Sequence, residues 1–359
     1  WGPPGGPKVE EAARDGEYVQ LPYVVKGMDF SFAGITSAAQ EAIDDGVPVE
    51  DVCRGLQETI FGMLTEVSER ALSLTGSDEL VLGGGVGQNR RLQAMLESMC
   101  AERGAEFFAP EDRFLRDNAG MIALLGARMY EAGATIPVED SAVRPDFRPD
   151  EVTVTWRSGE SVARSPAETG EIRGAEAVVE MGERVRKRRI PKGYRHPDLD
   201  ARLRGERTAT EARLTSLARR QGVSTPVLRD VDPVEATLVL ERVGEADLGA
   251  AMTESRVRAV GEHLAALHAA GFVHGDPTTR NVRIDPGAAR VYLIDFGLGY
   301  HTEDVEDYAM DLHVFEGSLA GTSDDASSLA AAFEDAYCET GDPTVVDQLR
   351  EIEGRGRYQ

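Results

Sequence analysis

The stretch Gly271–Ile284, GFVHGDPTTRNVRI, sets the narrowest bounds on what this chain becomes. It puts His274, Asp276 and Asn281 in a turn-rich segment, and Asp295 follows in VYLIDFGLGY, directly after a short apolar strand. Phosphoryl transfer asks a protein for charge neutralisation, metal placement and an aimed nucleophile, with little covalent chemistry. Asp276 suits a proton acceptor, Asn281 suits a second magnesium ion, and Asp295 suits the magnesium that bridges phosphates. Lys187 lies on a predicted strand and Glu211 on the helix expected after it, where a phosphate lysine and the carboxylate that orients it belong. Each piece alone is weak. An aspartate after an apolar strand also caps turns, and a lone histidine is more often structural. Their order and spacing carry the reading.

Composition then limits the rest. The 359 residues suggest two domains at about 150 residues each. Acids outnumber bases 63 to 39, for a formal net charge of -24, and the only lysines are Lys8, Lys26, Lys187 and Lys192. Such a surface is expected of a salt-adapted, halophilic protein. A chain that uses arginine nearly everywhere keeps a lysine at 187, where a compact ammonium meets phosphates. Cys53, Cys100 and Cys338 form no CxxC, so neither a zinc knuckle nor a disulfide framework is indicated, and a cytoplasmic location is expected. No apolar run approaches the roughly 18 residues of a membrane span, so no membrane partner is expected. The opening WGPPGGPKVEE reads as the interior of a protein, with more chain expected upstream.

The elements fall into two regions. Residues 1–157 mix helix and strand signals: a long apolar-periodic helix from about Val52 to Gly76, then strand, glycine turn and helix in ELVLGGGVGQNRRLQAMLESMCAERG, then a helix in NAGMIALLGARMYEAG. Residues 158–170, SGESVARSPAETG, are small and polar and read as a linker. From 171 to 359 the pattern is two short strands, a helix in TATEARLTSLARRQG, a strand in VEATLVLERV, a helix closed by Gly271, the acidic turns, and mostly helix after them. The run RVRKRRIPKGYRHP, Arg184–Pro197, is basic on an acidic chain; it reads either as a solvated hairpin or as a face for nucleic acid or a partner.

RKRRIPKGYRHPDLDARLRGERTATEARLTSLARRQGVSTPVL, VHGDPTTRNV and IDFGLGY together resemble the small kinase/ATPase subunit of the KEOPS complex, a RIO-like serine/threonine kinase family. The resemblance covers about 171–359 and implies a small bilobal α+β kinase domain using ATP and Mg2+. Lys187, Glu211, Asp276, Asn281 and Asp295 then carry the roles above, and Gly174 in GAEA stands for the phosphate loop. No Ala-Pro-Glu follows Gly297, which implies specialised kinase activity with ATP hydrolysis serving the complex.

GGPKVEE, KGMDFSFAGITSA, GGGVGQNRRL and RDNAGMIALLGARMY occur in the order of the catalytic subunit that makes threonylcarbamoyladenosine in tRNA, and resemble its C-terminal portion. That family is α/β, with an actin/hsp70-like ATPase fold, and is fused to the kinase family in many archaea. The resemblance implies that Gly6, Glu10 and Asn89 hold threonylcarbamoyl-AMP and that Asp117 ligates one Fe2+ or Zn2+. The HxxxH pair of that family is matched by none of His196, His263, His268, His274, His301 and His313, and is expected upstream. The leading reading is therefore a bifunctional transferase and kinase/ATPase, with tRNA, threonylcarbamoyl-AMP and other KEOPS subunits as partners. A stand-alone protein kinase with an inert first half, and a nucleotide-binding scaffold, are the rivals.

Overall fold

The computed structural model describes residues 5–26, 28–32, 34–116, 119–143, 171–173, 177–285, 287, 290–323 and 325–356. They form two compact units, one from 5–21 and 37–143, the other from 22–36 and 171–356. The expected linker at 158–170 lies outside the described residues, as do Asp117 and Gly174.

In the first unit, α1 (Gly5–Ala12) packs on a longer α3 (Val49–Thr75), and α2 (Ile35–Asp44) precedes α3 in the chain. Pro48 precedes α3, Glu50 and Asp51 oppose the positive end of its dipole, and Gly76 closes it at φ 68° with its N–H donating to Leu72 O. Strand β3 (Glu79–Val81), α4 (Arg90–Arg103) and β4 (Glu106–Phe108) form a parallel crossover unit. Leu92, Met95, Leu96 and Met99 of α4 are buried, as are Val52, Phe61, Met63 and Leu72 of α3. Three carboxylates of α3 are buried too, and arginines neutralise them: Glu58 with Arg91, Glu66 with Arg70, Glu69 with Arg103. Helix α5 (Ala119–Glu131) follows, with Gly133 at φ 74° just beyond its end.

The second unit opens with the hairpin β1 (Val25–Lys26) and β2 (Asp29–Phe30). Its main sheet is antiparallel: β5 (Glu171–Arg173), β6 (Ala177–Met181), β7 (Arg184–Arg189), β8 (Leu228–Asp232) and β9 (Thr237–Glu241) pair in the order β5-β6-β7-β9-β8. Sequence periodicity gave fewer strands here because β8 is exposed along most of its length. Helix α6 (Pro197–Arg220) starts about ten residues earlier than the apolar spacing suggests. His196 Nδ1 accepts the Asp198 N–H, and Pro197 stands in the first turn, where its missing donor costs nothing.

Below the sheet come β10 (Ala246–Asp247), α7 (Glu254–Ala269), β11 (Phe272–Val273), β12 (Val282–Ile284), β13 (Val291–Leu293) and β14 (Tyr300–His301). Helices α8 (Val305–Ala320), α9 (Ala326–Thr340) and α10 (Thr344–Gly356) complete the unit. Leu264, Leu267, Phe272, Phe296, Leu312, Phe315, Phe333 and Tyr337 join one core. Phe272 and Phe296 lie at the edges of the two acidic turns, so the turns are mounted on packed aromatic side chains.

Candidate functional site

Strand alternation builds the cleft of the second unit. Along β7, Arg184, Arg186 and Arg188 are exposed while Lys187 and Arg189 are buried. Lys187 Nζ donates to both Glu211 carboxylate oxygens at 3.0 Å and meets Asp295 Oδ1 at 2.6 Å. Arg189 Nη2 donates to Glu211 Oε2 at 2.7 Å and Nη1 to Thr208 Oγ1 at 3.2 Å. Two buried cations thus face the buried Glu211 and the more exposed Asp295, and this balance makes the burial of Lys187, Arg189 and Glu211 tolerable. Asp295 stands at φ +66°, a left-handed conformation it shares with only one other described non-glycine residue, Ala236. Holding a side-chain-bearing residue there costs about 1 kcal/mol or more, and such strain gathers at working sites.

Asp276 and Asn281 meet directly. Asn281 Nδ2 donates to the Asp276 backbone oxygen at 2.8 Å and to its Oδ2 at 3.0 Å. The β12–β13 register sets Val282 opposite Leu293, which leaves Asn281 beside Ile294, and the Ile294 N–H donates to Asn281 O at 2.9 Å. Asn281 is therefore tied to both acidic turns. His274 is fully buried between them: its Nδ1 accepts the Asp276 N–H at 3.3 Å and its Nε2 stands 3.0 Å from Ile294 O. These partners set the neutral Nε2–H tautomer. Burial pushes the imidazole below its usual range, against the pull of Asp311 and Asp295. Gly275, at φ +83°, leaves no room for a side chain, since a Cβ there would collide with Leu298 O.

Sequence reasoning missed Asp311 and Arg189. The buried Asp311 carboxylate accepts the His274 N–H at 2.6 Å and the Gly275 N–H at 2.8 Å, while His268 Nε2 lies 3.3 Å away. It holds the backbone of the Asp276 turn from α8. Buried aspartate on a helix was the available signal, but nothing in DYAMDLHVF separates Asp311 from Asp307 before the turn is seen.

The basic run at 184–197 is not one face. Of its seven lysines and arginines, Lys187, Arg189, Lys192 and Arg195 are buried. Asp200 pairs Arg195 at 3.6 Å and accepts the Lys192 N–H at 3.1 Å. The run is basic largely because internal carboxylates of α6 need counter-charges. Arg184, Arg186 and Arg188 alone point outward, with Glu180 opposite Arg186 and Glu241 opposite Arg184.

In the first unit, the glycine turn before α4 is open: added side chains at Gly83, Gly84 or Gly85 would meet nothing within 4 Å, and Gly84 requires φ +88°. Asn89 caps α4. Its Oδ1 accepts the Arg91 N–H at 2.9 Å and the Leu92 N–H at 3.3 Å, and its Nδ2 donates to Gln57 Oε1 at 2.8 Å. Arg91 then grips Glu58 through Nε and Nη2 at 2.9 and 2.7 Å. Glu10 accepts the Arg90 N–H at 3.2 Å, which brings α1 to the turn; Gly6 lies exposed on the same helix. Among the described residues, no group of three or more His, Cys, Asp or Glu side chains is placed to hold a metal ion, and no helix is long and apolar enough to cross a membrane.

Residues 1–124 match the family described as tRNA N6-adenosine threonylcarbamoyltransferase, and residues 209–329 match the lipopolysaccharide kinase (Kdo/WaaP) family. The solved Rio2 kinase–ADP/Mg2+-phosphoaspartate complex from Chaetomium thermophilum is similar over 52% of this chain and 70% of its own, at 17% identity and a TM-score of 0.35. A protein of Natronomonas pharaonis is 69% identical over all of this chain and 68% of its own length. One of Halobacterium salinarum is 68% identical over the same shares, and one of Methanoculleus marisnigri is 49% identical over 99% of this chain and 67% of its own. All three bear the name probable bifunctional tRNA threonylcarbamoyladenosine biosynthesis protein. At such identity, sustained from one end of the chain to the other, the chain belongs to the family of bifunctional tRNA threonylcarbamoyladenosine biosynthesis proteins.

Proposed function

We propose that the chain joins two activities of tRNA modification across the seam at 158–170. Its first part, within 1–157, is the C-terminal portion of the domain that transfers a threonylcarbamoyl group from threonylcarbamoyl-AMP to the tRNA adenosine next to the anticodon. Its second part, 171–359, is a serine/threonine kinase/ATPase that regulates the assembly formed with the other KEOPS subunits. The observation that carries the second half is the single cluster of Lys187, Glu211 and Asp295 within 3.0 Å contacts, beside the Asp276–Asn281 pair.

The residues fit Mg·ATP. Asn281 and Asp295 offer amide and carboxylate oxygens, the hard donors that magnesium prefers. When bound, Mg·ATP supplies the transferable phosphoryl group and neutralises its charge. Lys187, held by Glu211, binds phosphate oxygens. Asp276, its carboxylate fixed by Asn281, accepts the proton of the attacking hydroxyl or water. Neutral His274 keeps the two acidic turns in register without competing for that proton.

In the first part, Glu10 and Asn89 take the first N–H groups of α4, and the adenylate lies on the open glycine turn before them, with Gly6 on the same helix as Glu10. Asp117 is the residue this chain contributes toward an Fe2+ or Zn2+ ion. The test is a tRNA modification assay with the chain extended to the length of its relatives and supplied with partner subunits, threonylcarbamoyl-AMP and Mg·ATP. Modified adenosine that requires both Mg·ATP and an intact Asp295 is expected; modification indifferent to both overturns the link between the halves.

A further inference from the structure

We propose that Arg189 is a positioning residue for nucleotide use: it fixes the Glu211 carboxylate that aims Lys187 at the phosphates, and it braces the turn that carries Asp295. The inference rests on reading this cleft as a phosphoryl-transfer site. In the structure Lys187 divides itself between Glu211, at 3.0 Å, and Asp295, at 2.6 Å. To serve ATP it exchanges the Asp295 contact for phosphate oxygens and keeps Glu211 as its anchor. Glu211 is 1% exposed, and a buried carboxylate stripped of its cation is strongly unfavourable. Arg189 gives Glu211 a second cation beside Lys187. Its Nη2 holds Glu211 Oε2 at 2.7 Å, shorter than either contact from Lys187 to Glu211, so the carboxylate stays in place while the lysine changes partners at Asp295.

The other contacts of the same guanidinium explain why an arginine stands here. Nη1 reaches Thr208 Oγ1 at 3.2 Å, one turn from Glu211 on α6, and Nη2 lies 4.0 Å from Asp295 Oδ1. A planar fork spans these points at once; a lysine ammonium cannot. Gly297 completes the fit, because a Cβ at that position would run into Arg189 Nη2. The guanidinium therefore occupies the space that the missing side chain leaves, and links strand β7, helix α6 and the Asp295–Gly297 turn.

The experiment measures steady-state ATP hydrolysis by the full chain, with Mg2+ in excess, for Arg189→Met and Arg189→Lys beside the unchanged protein. Lys187→Ala and Asp295→Ala serve as controls for the site itself, and circular dichroism melts report folding. Losing one charge-assisted contact is expected to raise the KM for ATP about tenfold in Arg189→Met, with kcat changed by less than about threefold. Arg189→Lys, which restores the charge but not the fork, is expected to fall between. If Arg189→Met does not fold, Arg189→Gln, which removes the charge and the fork but keeps a polar end, takes its place in the comparison. A folded Met or Gln variant with unchanged KM overturns the proposal while the controls uphold the site. A loss of kcat equal in the Met and Lys variants, tracking their melting temperatures, overturns it in favour of a purely structural ion pair. Unchanged hydrolysis in Lys187→Ala and Asp295→Ala removes the site reading, and the proposal with it.

Discussion

Asp295 concentrates the chemistry of the second unit in one side chain. Its carboxylate meets Lys187 at 2.6 Å, and its backbone is held at φ +66° by the turn around it. Asp295→Ala is expected to abolish ATP hydrolysis by the full chain while the circular dichroism spectrum stays unchanged; turnover at the unchanged rate removes Asp295 from the site. A second residue reports on pH. Burial lowers the pKa of His263 from its usual 6.5, although a hydrogen bond to the Val291 backbone and the charge of Glu262 pull it upward. Its neutral form is thus the one the fold prefers. Its contribution is fully present above pH 6.5 and is lost as the pH falls from there toward the folded-state value. The loss approaches about 1.4 kcal/mol per pH unit where only the unfolded chain takes up the proton. Urea unfolding at pH 7.5 and pH 5.5 checks this: His263→Gln should be less acid-sensitive than the unchanged protein, and equal sensitivity assigns the effect elsewhere.

At the scale of elements, local rules explain both what the sequence revealed and what it hid. Helix α3 was legible because its apolar spacing ends at Gly76, and the strand–turn–helix of β3 and α4 because three glycines interrupt two apolar patterns. The polar start of α6 and the exposed strand β8 were not, because neither shows an apolar stripe. The spacing of Asp276, Asn281 and Asp295 was visible; Asp311 and Arg189, which hold them and Glu211, act through tertiary contacts that spacing cannot encode. Asn89 caps α4, and the proposed function adds a second duty, holding the adenylate. As the cap of α4, its loss in Asn89→Ala should cost about 1 kcal/mol of stability, read from denaturant midpoints. Weaker binding of a nonhydrolysable adenylate analogue, measured by calorimetry on length-extended protein, should accompany it; unchanged affinity makes the turn structural only. Alternation in β7 separates two more duties. Reversing Arg186 and Arg188 to glutamate should leave ATP hydrolysis intact and lower the logarithmic salt slope of tRNA binding by about 0.7–0.9 per lost phosphate contact. Filter binding across a salt series decides it, and an unchanged slope excludes this face from tRNA.

For the whole molecule, the net charge of -24 dominates. Self-repulsion among 63 acids outweighs the individual surface ion pairs, each worth about 1 kcal/mol or less. Raising KCl from about 0.1 M to about 1 M shortens the screening length from about 10 Å to about 3 Å. The melting temperature should therefore rise by several degrees, and a flat or falling midpoint over that range contradicts the argument. Asp311 bears on how such a chain acquires its activity. The amides it holds, at His274 and Gly275, lie 37 and 36 residues earlier in the chain. Until α8 docks, those N–H groups lack this acceptor, and the Asp276 turn keeps only its local hydrogen bonds to His274 and Asn281. The geometry of the Asp276 turn is thus a property of the assembled unit and not of its own segment: two stretches of chain some three dozen residues apart have to meet before it is complete.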